Sequence, residues 1–145
     1  MYLVSACLCG VNCKYNGSNN LNKDCLQLLK ENKAILICPE QLGGMTTPRV
    51  PSEILHGEKV VTKDGSDVTE NFIKGAKEAL NIAKNSNITT AILKEGSPSC
   101  GCNLIYDGSF SGNKVKGEGI TCKVLRNAGI EVISDEEYSA KVKNS

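Results

Sequence analysis

Short apolar runs alternate with amphipathic stretches along this 145-residue chain, and three of the runs stop at or just before a cysteine. Cys7 follows Tyr-Leu-Val-Ser-Ala, Cys38 follows Ala-Ile-Leu-Ile, and Cys100 lies just beyond Thr-Ala-Ile-Leu. If these runs are parallel strands of one sheet, their C-terminal ends share one crevice, the place where open α/β sheets bind ligands. Three thiols from distant positions then converge. Thiolates select zinc, copper(I) or iron–sulfur centres over hard cations. Three protein ligands instead of four leave one metal position open, as catalysis requires.

The rest of the chain supports a parallel sheet. The spacing predicts a strand over 2–6, a Gly- and Asn-rich loop over 10–20, and a helix from Asn22 to about Asn32. A second strand over 34–37 completes a βαβ unit, whose crossover should be right-handed. Residues 39–65 carry three prolines and glycines at 43, 44, 57 and 65, so they read as a functional loop with a minor extended piece at 59–62. Asp67 and Glu70 bear a helix-start signature. After it, Val68, Phe72, Ala76, Ala79, Leu80 and Ala83 form one stripe expected to face the sheet. A third strand over 88–93 is followed by a Gly- and Ser-rich stretch over 96–112. A helix over 118–128 should turn Ile120, Val124 and Leu125 inward and stop at Gly129. A fourth strand over 130–133 leads to a capping box at Ser134 and Glu137 that opens a last helix. The expected architecture is α/β: one domain over 1–145, Rossmann-like, in three layers, with a mainly parallel sheet between helices.

Composition narrows the function. A net charge of +1 argues against a broad basic surface for nucleic acid, and the absence of Trp argues against a base-stacking platform. The first ten residues lack the basic segment of a signal peptide, and no run reaches membrane-spanning length. A cytoplasmic protein is expected. Thiols stay reduced there, so eight cysteines point to metal binding or catalysis and not to a disulfide framework. None forms a C-x-x-C pair, which counts against a thioredoxin motif or a zinc ribbon.

Three motifs carry chemistry. Lys94-Glu-Gly-Ser-Pro-Ser-Cys-Gly101 is a turn whose backbone N–H groups can form an anion nest; its plain alternative is a βα turn with Ser97 as a cap. In Cys38-Pro-Glu-Gln-Leu-Gly-Gly and Thr46-Thr-Pro-Arg49, Glu40 can serve as a general base and Arg49 can hold an anionic substrate in a forked contact. The plain alternative is a surface Glu40–Arg49 pair. In Ser5-Ala-Cys-Leu-Cys-Gly-Val-Asn-Cys13, one of Cys7, Cys9 and Cys13 is a ligand, and spacing alone does not choose among them. Cys25 and Cys122 fall on inward helix faces and read as core residues. His56, the single histidine, is a loop residue with no assigned role.

Taken together, the motifs resemble the thiouracil desulfidase family, as do Asp64-Gly-Ser-Asp67-Val-Thr, Ile105-Tyr-Asp-Gly-Ser-Phe-Ser-Gly112 and Gly117-Glu-Gly-Ile-Thr. The likeness runs in order along nearly the whole chain. It implies a [4Fe–4S] cluster held by Cys7, Cys38 and Cys100 with one iron lacking a protein ligand, an acid–base Glu40 and a supporting Ser97. Arg49 and Ser99 are the expected substrate contacts. The implied reaction is non-redox desulfuration of a thiolated pyrimidine, either a base or a nucleotide of the thiouracil or thio-UMP type. Cys9 stands where the family has Leu, and Lys14-Tyr-Asn-Gly where it has Arg-Tyr-Asp-Gly. Cys9, Cys13 and Cys102 are further thiols competing for the fourth iron. Two rival readings are a metal-binding module without catalysis and a metal-free, flavodoxin-like nucleotide binder seated on the Ser97 turn.

Overall fold

The computed structural model describes residues 1–56 and 58–145; Gly57, one of the glycines of the long loop, lies outside the described residues. In chain order the elements are β1 (Tyr2–Ser5), α1 (Lys23–Lys30), β2 (Ala34–Ile37), α2 (Pro39–Leu42), β3 (Ser52–Leu55), β4 (Lys59–Thr62), α3 (Thr69–Asn85), β5 (Thr90–Leu93), β6 (Leu104–Tyr106), β7 (Lys114–Lys116), α4 (Ile120–Asn127), β8 (Glu131–Ser134) and α5 (Asp135–Lys143). Four strands form a sheet in the order β2-β1-β5-β8, every pair parallel, with Val4 in register with both Leu36 and Ile92. The expected α/β fold with a mainly parallel sheet is therefore present.

Strand periodicity explains the layers. Successive side chains point to opposite faces, so Leu3, Ala91, Leu93 and Val132 pack against α3 and α4, while Val4 and Ile92 pack against α1 and Tyr138 of α5. Cys122 on α4 and Cys25 on α1 are fully buried, one in each layer, as their helix positions suggest. Asn22 caps α1 by accepting from the Asp24 and Cys25 N–H groups, and the Ser134–Glu137 capping box opens α5.

Two stretches expected as loops contain hairpins. Ser52–Leu55 and Lys59–Thr62 form the antiparallel pair β3–β4, where the sequence suggested only the piece at 59–62, and β6–β7 pair antiparallel within the Gly- and Ser-rich region and just beyond it. Three- and four-residue strands are too short for alternation to register. They also share a small core of their own, Ile54, Val60, Ile105 and Phe72. Phe72, expected to face the sheet, serves this core instead, because the first turn of α3 packs against the hairpins. On α4, Thr121, Cys122 and Leu125 are the buried residues, while Ile120 and Val124 are only partly covered.

Two devices position the loops at the C-terminal edge of the sheet. The first is backbone contact between α2 and α3. A methyl group at Gly75 would lie 1.9 Å from the Pro39 carbonyl oxygen, and one at Gly43 would lie 2.0 Å from that of Asn71. Only glycine on both sides lets α2 dock this closely, and α2 fixes the residues at the end of β2.

The second device is a buried carboxylate. Glu95, just past β5, is 9% exposed, and its Oε1 accepts from the backbone N–H groups of Gly96 (3.2 Å), Cys102 (2.9 Å), Asn103 (3.0 Å) and Leu104 (3.1 Å). Asn103 Nδ2 donates to Oε2 at 3.0 Å. The 95–104 loop is thus wrapped around one anion. Burial alone would raise the Glu95 pKa, but the backbone donors outweigh it and hold the carboxyl below its usual range.

Two outcomes follow. Gly75→Ala should lower stability by about 2 kcal/mol or more through overpacking, read from urea unfolding. Glu95→Gln should cost about 2 kcal/mol at neutral pH, since hydrogen bonds to a charged acceptor are the stronger kind. Because the folded pKa of Glu95 is depressed, its contribution is complete above the unfolded carboxyl value, about 4.3, and is lost as pH falls through the folded value. Acid titration of stability should therefore be steeper in the wild type than in Glu95→Gln.

Candidate metal centre and active site

A cavity of about 460 Å3 opens at the C-terminal edge of β2, β1 and β5, within the size range of small-molecule sites. Cys7 reaches it from a 3-10 turn (Ala6–Cys9) that directly follows β1. Cys38 borders it as the residue capping α2 at the end of β2, and Cys100 borders it from the turn after β5. The three thiols named from strand ends therefore border one cavity, because their strands are adjacent and parallel.

The other thiols separate. Cys9 donates to the Cys25 carbonyl (3.5 Å) in the α1 layer, and Cys102 donates to the Cys100 carbonyl (3.6 Å) and lies against Cys122. Neither borders the cavity. Cys13 does, buried, with its thiol beside those of Cys7 and Cys38. Its carbonyl accepts from Cys38 Sγ (3.8 Å) and from Arg49 Nη2 (2.8 Å).

This contact sorts the protons. The Cys13 hydrogen bond, chiefly, lowers Cys38 to about 7, against the effect of burial. The same partner lowers Cys7, helped by Asn20 Nδ2 at 3.4 Å and by the charge of Lys94. Cys13 itself is driven far upward by its contacts with Cys38 and Cys7 and by burial. The shifts of Cys7 and Cys38 run toward the thiolate, the form that binds metal, and that of Cys13 runs toward the neutral thiol. Burial pushes Cys100 well above the usual thiol value, so an anion there calls for a cation beside it.

Glu40 and Arg49 pair, but inside the cavity wall and not on an open surface. Arg49 Nη2 lies 3.1 Å from Glu40 Oε2, with the two side chains 5% and 18% exposed. Arg49 Nη1 donates to the Thr46 carbonyl (3.1 Å) and to Thr47 Oγ1 (2.8 Å), and Nε is buried without a partner among the described residues. Both Nη atoms are thus committed to the protein. In this structure they form a brace that joins Glu40, the Cys13 carbonyl and the Thr46–Thr47 segment.

Ser97 borders the cavity, and its Oγ accepts from the N–H groups of Ser99 (3.1 Å) and Cys100 (3.0 Å). With both acceptor positions filled, its own hydrogen is free to donate. Ser99, expected as a substrate contact, does not border the cavity: it is buried, with Oγ 2.7 Å from Thr121 Oγ1, and ties the turn to α4. The anticipated anion nest is occupied from within, because Ser97 and Glu95 take most of its N–H groups. Of the thiols left open by spacing beside Cys7, Cys13 borders the cavity and Cys9 does not; Glu95 was missed by sequence reasoning, and a carboxylate ahead of a glycine- and serine-rich turn was the available signal. His56 is exposed, as expected of a loop residue.

The donor set suits an iron–sulfur centre. Among the described residues no three His, Cys, Asp or Glu side chains close on one point as ligands of a single ion would. Cysteine thiolates are the ligands iron–sulfur clusters take, and Cys7, Cys38 and Cys100 present three of them to one cavity. No helix among the described residues is long and apolar enough to cross a membrane.

Comparisons with known proteins agree with this geometry. The chain is 47% identical to protein YbbK of Bacillus subtilis (strain 168), over 96% of its own length and 98% of that protein. Its structure superposes with a TM-score of 0.89 on a [4Fe–4S]-dependent thiouracil desulfidase, TudS, at 42% identity over 99% of this chain and 98% of that one. The family model described as 2-thiouracil desulfurase matches residues 2–137. With the family model covering nearly the whole chain and a relative 47% identical along it, the chain belongs to the 2-thiouracil desulfurase family.

Proposed function

We propose that this chain, acting as one unit over residues 1–145, desulfurates a small thiolated pyrimidine of the thiouracil or thio-UMP type. Water oxygen replaces the thiocarbonyl sulfur, and the sulfur leaves as hydrogen sulfide with no net electron transfer. The observation that carries this reading is that Cys7, Cys38 and Cys100 share one cavity with a glutamate braced by arginine. Those three cysteines would hold the [4Fe–4S] cluster, leaving one iron without a protein ligand. When bound, the cluster supplies a soft Lewis acid suited to sulfur.

The chain's own residues supply the proton chemistry. Arg49 holds Glu40 by Oε2, so the carboxylate keeps a fixed direction and its second oxygen can take a proton from an attacking water. Glu40 returns that proton to the departing sulfur, and the hydroxyl left on the attacked carbon gives up its own proton as the carbonyl forms, so both protons of the water consumed leave in the hydrogen sulfide. The free hydrogen of Ser97 donates to negative charge developing on the attacked carbon's substituents.

Glu40, held in the wall of the same cavity by Arg49, favours a catalytic site over a closed four-cysteine binding module. The metal-free nucleotide reading loses its phosphate seat, because the turn it needs is filled by Glu95 and Ser97. The substrate is a free base or nucleotide; a net charge of +1 gives little for an RNA backbone to bind. Eight cysteines with no disulfide among them support a cytoplasmic setting.

Cys38→Ala should lose both iron and turnover. Glu40→Ala should keep the iron and lose turnover by about 100-fold or more. Metal analysis beside sulfide release separates these outcomes, and a Glu40→Ala protein purified without iron would overturn the division of roles.

A further inference from the structure

The chain has four Tyr, two Phe and no Trp, and Tyr15, Tyr106 and Phe110 all border the cavity that the cysteines share. Phe110 is the most constrained of these. It lies in the loop between β6 and β7 with a φ of 57°, a left-handed conformation uncommon for a bulky residue. A backbone held there needs a local cause.

The cause is Glu53 of β3. Its Oε1 accepts from the N–H groups of Gly108 (3.0 Å) and Phe110 (3.2 Å), and the residue is 9% exposed. Gly108, at φ 94°, runs so close to β3 that a methyl group there would lie 2.9 Å from the Ile54 carbonyl oxygen. Asp107 closes the same turn by accepting from the Ser109 N–H at 2.9 Å, and its own N–H donates to the Asn113 carbonyl at 3.0 Å. A loop tip that would otherwise be free is thus fastened to the hairpin, with an aromatic ring at the cavity.

Beside Glu53 on the same strand, Ser52 also borders the cavity. It is 8% exposed, and its Oγ is buried with no hydrogen-bond partner among the described residues. An unpaired buried hydroxyl is costly in a folded protein unless something completes it. A flat heteroaromatic ring with N–H and C=O groups on its edge would do so, while burying its face against Phe110.

We infer that Phe110, held in place by Glu53, is the wall against which the substrate's pyrimidine ring packs, with the Ser52 hydroxyl as a polar contact to the ring edge. The inference rests on the desulfidase reading and extends it, since nothing in the cysteine and Glu40 constellation itself selects a ring. Phe110 and Ser52 are binding residues. Glu53 is a positioning residue that acts through Phe110.

The test combines calorimetric binding of uracil with steady-state desulfuration of 2-thiouracil by the iron-loaded protein. Phe110→Ala should raise both the Kd for uracil and the KM by about tenfold, within the range expected for lost base–aromatic stacking, with a smaller change in kcat. Phe110→Tyr should recover most of that loss, and Phe110→Leu, which keeps bulk without a flat face, should not. Glu53→Ala should match Phe110→Ala, and the double variant should be no weaker than either single one, as expected of residues acting as a unit. Glu53→Gln, whose amide oxygen can still accept both N–H groups, should recover most of the binding. Ser52→Ala should weaken uracil binding by about fivefold.

A wild type that binds and turns over, beside Phe110→Ala and Phe110→Leu proteins within twofold of it in Kd and KM, would overturn the inference alone. Additive losses in the Glu53→Ala, Phe110→Ala double variant would overturn the positioning role. An iron-loaded wild type that neither binds uracil nor releases sulfide would overturn the functional reading and this inference with it.

Discussion

Parallel pairing of four short strands is the constraint on which everything else depends. Because β2, β1 and β5 run side by side in one direction, each hands its chain to a loop at the same edge of the sheet. Cys7, Cys38 and the Cys100 turn are far apart in sequence, yet they can only emerge there. An antiparallel partner for β1 would send one of these loops to the opposite edge and disperse the thiols. The cavity is thus a consequence of topology before it is a consequence of any side-chain contact.

Topology brings the loops together, and buried charge gives them shape. Glu95 and Arg49 are both largely removed from water, and an ion in that position is tolerated only when its hydrogen-bonding capacity is nearly filled. Glu95 is filled by backbone N–H groups, so one side chain sets the path of a whole loop. Arg49 binds Glu40 and three carbonyl or hydroxyl groups from two segments. The α2–α3 contact, in which backbone touches backbone at Gly43 and Gly75, secures the segment that carries Cys38 and Glu40. Loss of any one of these would misplace a reacting group without touching it.

Sheet strands were legible as short continuous apolar runs, the longer helices by an apolar period long enough to read, and the Ser134 capping box declared itself by residue type. Cys7, Cys38 and Cys100 were legible for a related reason: each follows a strand. The hairpins were not, since strands as short as β6 and β7 show no alternation and owe their stability to Phe72, Ile54, Val60 and Ile105 meeting from distant positions. Glu95 was hidden because a carboxylate's role as a loop core is visible only once its donors are in place. The same is true of Ser99, whose neighbour Thr121 is remote in sequence, and of Cys13, whose thiol is distinguished from Cys9 only by the direction its loop takes.

The central claim is that the cysteine edge of this sheet holds a cubane cluster with one iron open to substrate. Iron and acid-labile sulfide content after strictly anaerobic purification, read with the visible spectrum, tests it most directly. The account predicts a brown protein with about four irons and four sulfides per chain. Zinc, or no metal and no sulfide, in protein never exposed to air would contradict it.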